Sequence, residues 1–241
     1  MKIVSWNCKF GFSAQKAEYI KKYDADLYII QECTENDFEG LFKISKNIKF
    51  FCDNIDSKYG VGLFSDTFNL EILPEHNINF RYIVPYRVFN SEREFKLFSI
   101  WTKDKDENNK KIEYTEQTWK AINFNGYKKH FSGSIILIGD FNSNNYWNEK
   151  YISNNAHSHN DIIQKLKEYN IESAYHKYNN CINGNEENPT LLWKMDINNK
   201  FHIDYCFLSK DFKIKNVAIG SLKEWAENKL SDHCPLIVEI E

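Results

Sequence analysis

The sequence lacks the features typical of membrane, secreted and zinc-binding proteins. It has no run of about 18 consecutive apolar residues, which argues against a membrane-spanning helix. Residues 1–10 contain no apolar stretch followed by a cleavage site, so we interpret them as a first strand. The six cysteines are scattered without C-x-x-C spacing, which argues against zinc and favours reduced, mostly buried thiols. We therefore expect a cytoplasmic protein with no membrane association.

Clusters of basic residues are also missing. The formal net charge is -3, and the densest groups of lysines are pairs such as Lys110 and Lys111. A nonspecific nucleic-acid binder usually carries a basic stripe. Its absence argues against a long polyanionic partner, but it is compatible with a small phosphorylated substrate or a strand gripped at one end. Nothing in the sequence indicates an obligate protein partner.

The composition is typical of one globular unit, which we expect to be a single domain over residues 1–241. Of the 241 residues, 42% are hydrophobic and 16% aromatic, and no repeat is visible. Short strand patterns dominate, and residues 49–102 are predicted to form an antiparallel meander. The predicted strands also include residues 172–178. Helices are predicted at about 13–23, 34–45, 115–130 and 158–170. This order favours two stacked sheets with helices on their outer faces.

A polar stretch follows one buried strand directly. The apolar run at residues 134–138 leads into GDFNSNNYW at 139–147, which places Asp140 and Asn142 at the strand exit. Asp and Asn are common in turns, so a plain turn is one interpretation. The other is a site of metal and phosphate chemistry.

Other predicted strands also begin or end in acids, amides or imidazoles. These residues are Asn7, Glu32, Asp140, Asn142, Asp204, Asp232 and His233. Stacked sheets would bring such ends to one rim. Carboxylates about 4 Å apart repel by about 4 kcal/mol per pair at an effective dielectric near 20. A Mg²⁺ ion, which prefers oxygen ligands, relieves that repulsion and can activate water against a phosphate ester.

Each of these residues also has a purely structural interpretation. Glu32 could be a solvated charge at a helix N-terminus, which the helix dipole favours. Asn7 could close its strand, and His233 could be a buried histidine with satisfied hydrogen bonds. Only the joint placement of all seven residues favours a catalytic site.

Five short motifs make the chain resemble a known family. They are IVSWN (3–7), IIQE (29–32), GDFNSN (139–144), HIDYCFLS (202–209) and LSDHCPL (230–236). In this order they resemble the endonuclease/exonuclease/phosphatase superfamily, which has the deoxyribonuclease I-like fold. The resemblance implies an α+β protein, a four-layer α/β/β/α sandwich of two mainly antiparallel mixed sheets flanked by helices. Residues 172–205 also resemble the deadenylase branch of that superfamily.

The resemblance implies a metal cofactor, Mg²⁺ or Mn²⁺. Glu32 would be its principal ligand, with Asn7 in support and Asp232 on the metal side of the centre.

The resemblance also implies catalytic roles. Asp140 would hold and activate the attacking water, and Asn142 would position the water or the scissile phosphate. Asp204 would orient His233, which would contact a non-bridging phosphate oxygen. The expected reaction is one-step hydrolysis by in-line attack, with no covalent intermediate.

Two positions depart from the family pattern. Abasic-site endonucleases of the superfamily carry an acid where this chain has Lys9, which argues against abasic-site repair and makes Lys9 a candidate phosphate contact. Many members carry His or Tyr where this chain has Trp101, whose indole can only donate one N–H. The missing group must come from elsewhere, and His157, His159 and His176 are candidates, although capping or surface roles are also open to them.

Substrate contacts are predicted at four residues: Lys9, Trp147, His159 and His176. Trp147 follows the GDFN strand with Tyr146, so it could stack on a base or sugar. The preferred function is a divalent-metal-dependent phosphodiesterase, a nuclease acting on DNA or RNA. The alternatives are a phosphatase or nucleotide/sugar-phosphate hydrolase on the same fold, and a phosphate-binding protein without catalysis.

Overall fold

The computed structural model describes residues 1–37, 47–53, 58–147 and 156–241. The strands are β1 (Lys2–Asn7), β2 (Leu27–Cys33), β3 (Asn47–Phe51), β4 (Gly60–Ser65), β5 (Asn69–Ile72), β6 (Ile83–Phe89), β7 (Glu94–Trp101), β8 (Ile135–Asp140), β9 (Ile171–Ser173), β10 (Leu191–Leu192), β11 (Lys200–Phe201), β12 (Asp204–Ser209), β13 (Ile214–Ile219) and β14 (Leu236–Ile240). The helices are α1 (Ala14–Lys21), α2 (Tyr114–Asn123), α3 (Asn125–Lys128), α4 (His159–Lys167), α5 (Ala174–Asn179) and α6 (Leu222–Glu227), with 3-10 turns at Ile78–Phe80 and Trp193–Met195.

The strands form two six-stranded sheets and one small hairpin. Sheet one has the order β13-β14-β1-β2-β4-β3, and sheet two has the order β5-β6-β7-β8-β12-β9. The pairs β1–β2 and β7–β8 are parallel, and the other pairs within the sheets are antiparallel. The hairpin pairs β10 with β11.

Three apolar cores separate four layers. Neighbouring residues of a strand point to opposite faces: Ile3 lies in the core between the sheets, and Val4 lies in the core under α1. In sheet two, Ile136 lies between the sheets and Leu137 packs under α2 and α4. The predicted α/β/β/α sandwich is confirmed. Strands buried on both faces explain why their sequences are nearly continuous apolar runs.

Two helix starts agree with the predicted caps. Ser13 caps α1 by accepting from the N–H of Lys16, and Ser158 begins α4 with a reciprocal capping box involving Asp161. At the helix predicted for 34–45, the N–H of Asp37 donates to the hydroxyl of Thr34 at 3.2 Å. Residues 38–46 of that prediction lie outside the described residues.

The meander predicted for residues 49–102 is wrong as a single unit. Strands β3 and β4 join sheet one, whereas β5, β6 and β7 form an antiparallel meander in sheet two. The chain crosses between the sheets after Ser65, whose hydroxyl accepts from the N–H of Phe68 at 2.9 Å. Local alternation predicts a strand but does not specify which sheet it joins.

Three helical regions also differ from expectation. The helix predicted for 115–130 is interrupted at Phe124, whose extended backbone separates α2 from α3. Residues 174–178, predicted as strand, lie in α5, which contacts both β12 and β13. Helix α6 was not predicted. In α5, contacts with elements of both sheets outweigh the strand-like pattern of aromatic residues.

The thiols match the sequence-based expectation. Cys8, Cys33, Cys206 and Cys234 are free and buried, and Cys52 and Cys181 are partly buried. Within the described residues, no helix is both long and apolar enough to cross a membrane.

Candidate active site

The strand ends of both sheets meet at one rim of the sandwich. In sheet two, Asp140 ends β8 and lies directly opposite Asp204, the first residue of antiparallel β12. In sheet one, Asn7 ends β1 beside Gln31 of the parallel strand β2. His233 precedes β14, which runs antiparallel to β1, so it lies beyond the same end.

Asn7 connects the two sheets at this rim. Its side-chain Nδ2 donates to Glu32 Oε1 at 2.9 Å and to Asp140 Oδ2 at 3.0 Å. Its Oδ1 accepts from the N–H of Lys9 at 3.0 Å, which fixes the orientation of the amide. The side chain is almost fully buried, with 1% of its surface exposed. Asn7 therefore holds carboxylates of opposite sheets close to each other.

An imidazole lies between two buried carboxylates. His233 Nδ1 is 2.9 Å from Asp204 Oδ2, and its Nε2 is 4.0 Å from Asp140 Oδ2. Burial by itself lowers the pKa of His233, but the charges of Asp204 and Asp140 outweigh burial and raise that pKa to about 10. His233 is therefore an imidazolium at neutral pH, able to donate to an oxyanion from Nε2.

Asp140 carries a carboxylate with little access to water. Its exposed fraction is 1%. Burial, followed by the charge of Asp204, raises the pKa of Asp140, while His233 and the hydrogen bonds from Asn7 and Asn142 partly offset that rise. A raised pKa makes Asp140 a better proton acceptor near neutral pH than an exposed aspartate.

In the GDFN motif, steric crowding requires the glycine, and the asparagine forms hydrogen bonds to the aspartate. Gly139 has φ 144°, and a Cβ there would lie 1.9 Å from the carbonyl oxygen of Ile100 in β7. Asn142, with φ 47°, donates from its backbone to Asp140 Oδ1 at 2.9 Å and from its side chain to Asp140 Oδ2 at 3.0 Å. The motif thus positions the Asp140 carboxylate from its own strand.

Glu32 reaches the rim through an irregularity in β2. The register with β4 shifts between Gln31 and Cys33, and Glu32 has a left-handed φ of 61°. This conformation is unfavourable for a residue with a side chain and persists only where neighbours impose it. The N–H of Phe10 donates to Glu32 Oε2 at 3.2 Å, so both carboxylate oxygens are held.

Asp232 and Lys9 form an ion pair at the edge of the site. Lys9 Nζ lies 2.7 Å from Asp232 Oδ2, and the side chains are 36% and 18% exposed. In this arrangement Lys9 neutralises Asp232, so a metal or a phosphate at this edge would compete for one of the two partners.

Three hydroxyl residues support the site and were not proposed as functional from sequence. Thr190, fully buried, accepts from the N–H groups of Ile203 and Asp204 through Oγ1 at 3.0 and 3.1 Å. Ser231 donates to the carbonyl of Asn7 at 2.7 Å and accepts from the N–H of His233 at 3.0 Å. The third, Thr102, is bonded to the carbonyl of Phe141 at 2.7 Å. The S in the LSDH motif is the only sequence signal that points to Ser231.

Three histidines named from sequence lie elsewhere. His159 is fully buried, 2.9 Å from the hydroxyl of Ser143 through Nδ1, so we do not propose that it touches substrate. His176 lies between Ser173 and Glu186, at 2.7 and 2.8 Å. The ring of His157 stacks on Trp119 at 4.0 Å.

Aromatic side chains lie beside the rim on a hairpin. The ring of Trp147 is half-buried, 4.7 Å from Phe201 of β11 and 6.5 Å from Trp193. Trp193 is 49% exposed and follows β10, whose Leu191 pairs with His233. This aromatic surface is therefore joined directly to the segment that carries the imidazolium.

The side chains suit a divalent cation. Asp140, Asp204 and His233 present ligand atoms within 4.8 Å of one another, the one such group found among the described residues. The Oδ1 atom of Asp204 is buried without a hydrogen-bond partner in that part of the chain. Carboxylates and an orphaned carboxylate oxygen fit a hard cation, and Glu32, joined to Asp140 through Asn7, places a further carboxylate at the same rim.

The layered sandwich carries an acidic rim with one imidazole, an arrangement suited to metal-assisted hydrolysis. The chain belongs to the endonuclease/exonuclease/phosphatase family, whose model matches residues 4–233. A search of curated proteins finds no significant match.

Several solved structures share this fold. The endonuclease domain of TRAS1, a telomere-specific non-LTR retrotransposon, is 18% identical with a TM-score of 0.64, covering 100% of this chain and 97% of that one. D. rerio TDP2, complexed with a single-strand DNA product, is 16% identical with a TM-score of 0.66, covering 100% and 98%. A mannosyl-6-phosphatase from Bacteroides thetaiotaomicron is 15% identical with a TM-score of 0.63, covering 100% and 99%. The fold is deoxyribonuclease I-like.

Proposed function

We propose that the protein is a Mg²⁺- or Mn²⁺-dependent phosphodiesterase that cleaves nucleic acid. The observation that carries this proposal is a pair of hydrogen bonds through which Asn7 joins Glu32 to Asp140. The hydrogen-bonded pair Asp204–His233 lies beside them. This arrangement combines oxygen ligands, a proton acceptor and a cationic donor within one rim. A cation held by Glu32 would neutralise phosphate charge.

Asp140 and His233 have complementary tasks in the proposed reaction. Asp140 accepts a proton from the attacking water, for which its raised pKa suits it. The water oxygen bonds to phosphorus as the ester P–O bond breaks, and solvent supplies the proton of the leaving oxygen. His233 donates from Nε2 to a non-bridging oxygen, and Asp204 holds the ring in that orientation.

The aromatic surface favours a substrate that carries bases. Trp193 and Tyr146 are each 49% exposed, and Trp193 lies two residues from the pairing partner of His233. Aromatic platforms hold nucleic acids by stacking on base faces. Among the similar structures are an endonuclease domain and a complex with a single-strand DNA product. The mild net negative charge and the mannosyl-6-phosphatase support the alternative, a phosphatase on the same fold.

A screen of metal-dependent activity tests the proposal. The substrates are single- and double-stranded DNA, RNA, bis-p-nitrophenyl phosphate and p-nitrophenyl phosphate, each with Mg²⁺, Mn²⁺ or EDTA. We expect nucleic acid and the diester to be cleaved, EDTA to abolish cleavage, and Mg²⁺ to restore it. Asp140→Asn should lose activity, because the amide cannot accept the proton.

Two outcomes would contradict the proposal. Cleavage of the monoester without the diester or nucleic acid would identify a phosphatase. Phosphate binding without any hydrolysis, or full activity in Asp140→Asn, would favour a binding protein or a different mechanism.

A further inference from the structure

Trp101, the last residue of β7, is a buried core residue. Trp101 lies directly opposite Asp140 in the parallel pair β7–β8, yet only 3% of its surface is exposed. Its ring packs on Tyr82 at a centroid distance of 4.7 Å, and Lys103 Nζ lies 4.0 Å from its ring centroid. Trp101 is therefore part of the core between the sheets.

The chain that leaves β7 is nevertheless bound to the catalytic strand. The N–H of Thr102 donates to the carbonyl of Asp140 at 3.0 Å. The carbonyl of Thr102 accepts from Asn142 Nδ2 at 3.2 Å. Residues just after Trp101 are thus fixed beside the Asp140 carboxylate.

Helix α2 is attached to this same exit. The buried Gln117 side chain accepts from the N–H of Lys103 at 2.8 Å and donates to the carbonyl of Lys105 at 2.7 Å. Tyr114 is three residues earlier, one turn away on the same face of α2. Helical side chains point back toward the helix N-terminus. The N–H of Ile112 also donates to the carbonyl of Asp104 at 2.9 Å, so Tyr114 begins α2 beside the segment that leaves β7.

The electrostatic surroundings of Tyr114 agree with a position of its hydroxyl near the rim. Burial raises the pKa of Tyr114 to about 12, and the carboxylates of Asp104, Asp140 and Glu32 raise it in the same direction. Interactions between exposed charges are largely screened beyond about 10 Å at moderate ionic strength. A hydroxyl influenced by Glu32 of one sheet and Asp140 of the other lies near both. It makes no hydrogen bond to any described residue.

We propose that the Tyr114 hydroxyl donates a hydrogen bond to the substrate phosphate, supplying from helix α2 the group that Trp101 does not supply from β7. This inference rests on the proposed hydrolysis of phosphate esters. Tyr114 remains a neutral donor near pH 7, so it contributes no proton transfer. It replaces the three histidines, His157, His159 and His176, considered for this role from sequence.

The test compares Tyr114→Phe with a matched control. Tyr169 is also half-buried and has no hydroxyl partner among the described residues, but it precedes β9 at the opposite end of β12 from Asp204. With bis-p-nitrophenyl phosphate and Mg²⁺, Tyr114→Phe should lower kcat/KM by about 10- to 100-fold. The loss should be the same from about pH 6 to about pH 9, because the phenol does not ionise there. Tyr169→Phe should stay within about twofold of wild type.

A binding measurement separates this inference from the proposed function. Calorimetric titration of the Mg²⁺-loaded protein with inorganic phosphate should show affinity about tenfold weaker in Tyr114→Phe. Wild-type activity that Asp140→Asn abolishes and Tyr114→Phe leaves within twofold would overturn the role of Tyr114 alone. Equal phosphate affinity in wild type and Tyr114→Phe, or no phosphate binding to wild type, would overturn it even if no hydrolysis is seen.

Discussion

Two clusters of ionisable side chains lie on opposite faces of one strand, β12. The acidic rim, defined by Asp140, Asp204 and His233, lies at its start toward the gap between the sheets. The inner histidine cluster, defined by His159, His176 and His202, surrounds Tyr205: their ring centroids lie 4.6, 6.1 and 5.0 Å from that of Tyr205.

Buried histidines in the two clusters have pKa values shifted in opposite directions. Two carboxylates raise the pKa of His233 to about 10, whereas burial lowers the pKa of His159 to about 3. Burial also lowers the pKa of His202. His233 and His159 are both well buried, so burial does not explain the difference. The number of carboxylates beside the ring decides whether a buried histidine becomes a cationic donor or a structural group.

The largest difference between the clusters should appear when a carboxylate beside each one is neutralised: Glu32, joined to Asp140 through Asn7, and Glu186, bonded to His176. Glu32→Gln should lower the rate by about 10³-fold or more, about 4 kcal/mol of barrier, because it removes the proposed metal ligand. Glu186→Gln, beside the inner histidine cluster, should leave kcat/KM within about threefold and lower the free energy of unfolding by about 1–3 kcal/mol. Steady-state kinetics and urea unfolding measure the two effects. A rate loss below tenfold in Glu32→Gln would show that Glu32 is not the metal ligand.

The next difference concerns the imidazoles of His233 and His176. His233→Gln should lower kcat/KM by about 10²–10³-fold, because the amide lacks the positive charge aimed at the phosphate. His176→Gln should lose less than about threefold, since His176 binds Ser173 and Glu186 rather than the rim. Similar losses in both variants, measured at saturating Mg²⁺, would show that the inner cluster also takes part in catalysis.

The last predicted difference is in how stability depends on pH: His159 and His233 should contribute with opposite signs. The pKa of His159 is lower in the folded chain than the ordinary 6.5, so only the unfolded chain binds that proton as pH falls from about 6.5 toward 3. Stability should therefore decline by up to about 1.4 kcal/mol per pH unit from this group. His233, with its raised pKa, contributes stability that is present below about pH 6.5 and is lost as pH rises through about 10.

Urea unfolding in EDTA at about pH 7, 6 and 5 measures the contribution of His159. In His159→Asn the decline toward acid should be shallower than in wild type. An unchanged slope would mean that His159 is protonated in the folded protein.

Local signals in the sequence were sufficient where a single turn or a short run decides the structure. The caps at Ser13 and Ser158 depend on atoms within three residues, and both are present. The buried strands were found because apolar runs bounded by turn residues are a local pattern. The seven polar strand ends also lie at or beside the rim, since strand direction and sheet stacking together bring them to one edge.

Contacts between distant segments decided what local patterns could not. The break at Phe124 and the helical state of Ala174–Asn179 depend on packing against other elements. The supporting role of Thr190 depends on hydrogen bonds to residues 13 and 14 positions later. No single-residue property distinguishes His159 from His233, because their charge states depend on neighbours far away in the chain.

The sequence alone determined most of the buried strands, the layered architecture and the set of polar residues at the rim, because hydrophobic periodicity and motif order are properties of the chain itself. Only the tertiary structure decided which titratable groups face each other: Asn7 with Glu32 and Asp140, Asp204 with His233, and Tyr114 near carboxylates of both sheets. The physical reason is that charge interaction and burial depend on distance in space, which the folded arrangement of the two sheets sets.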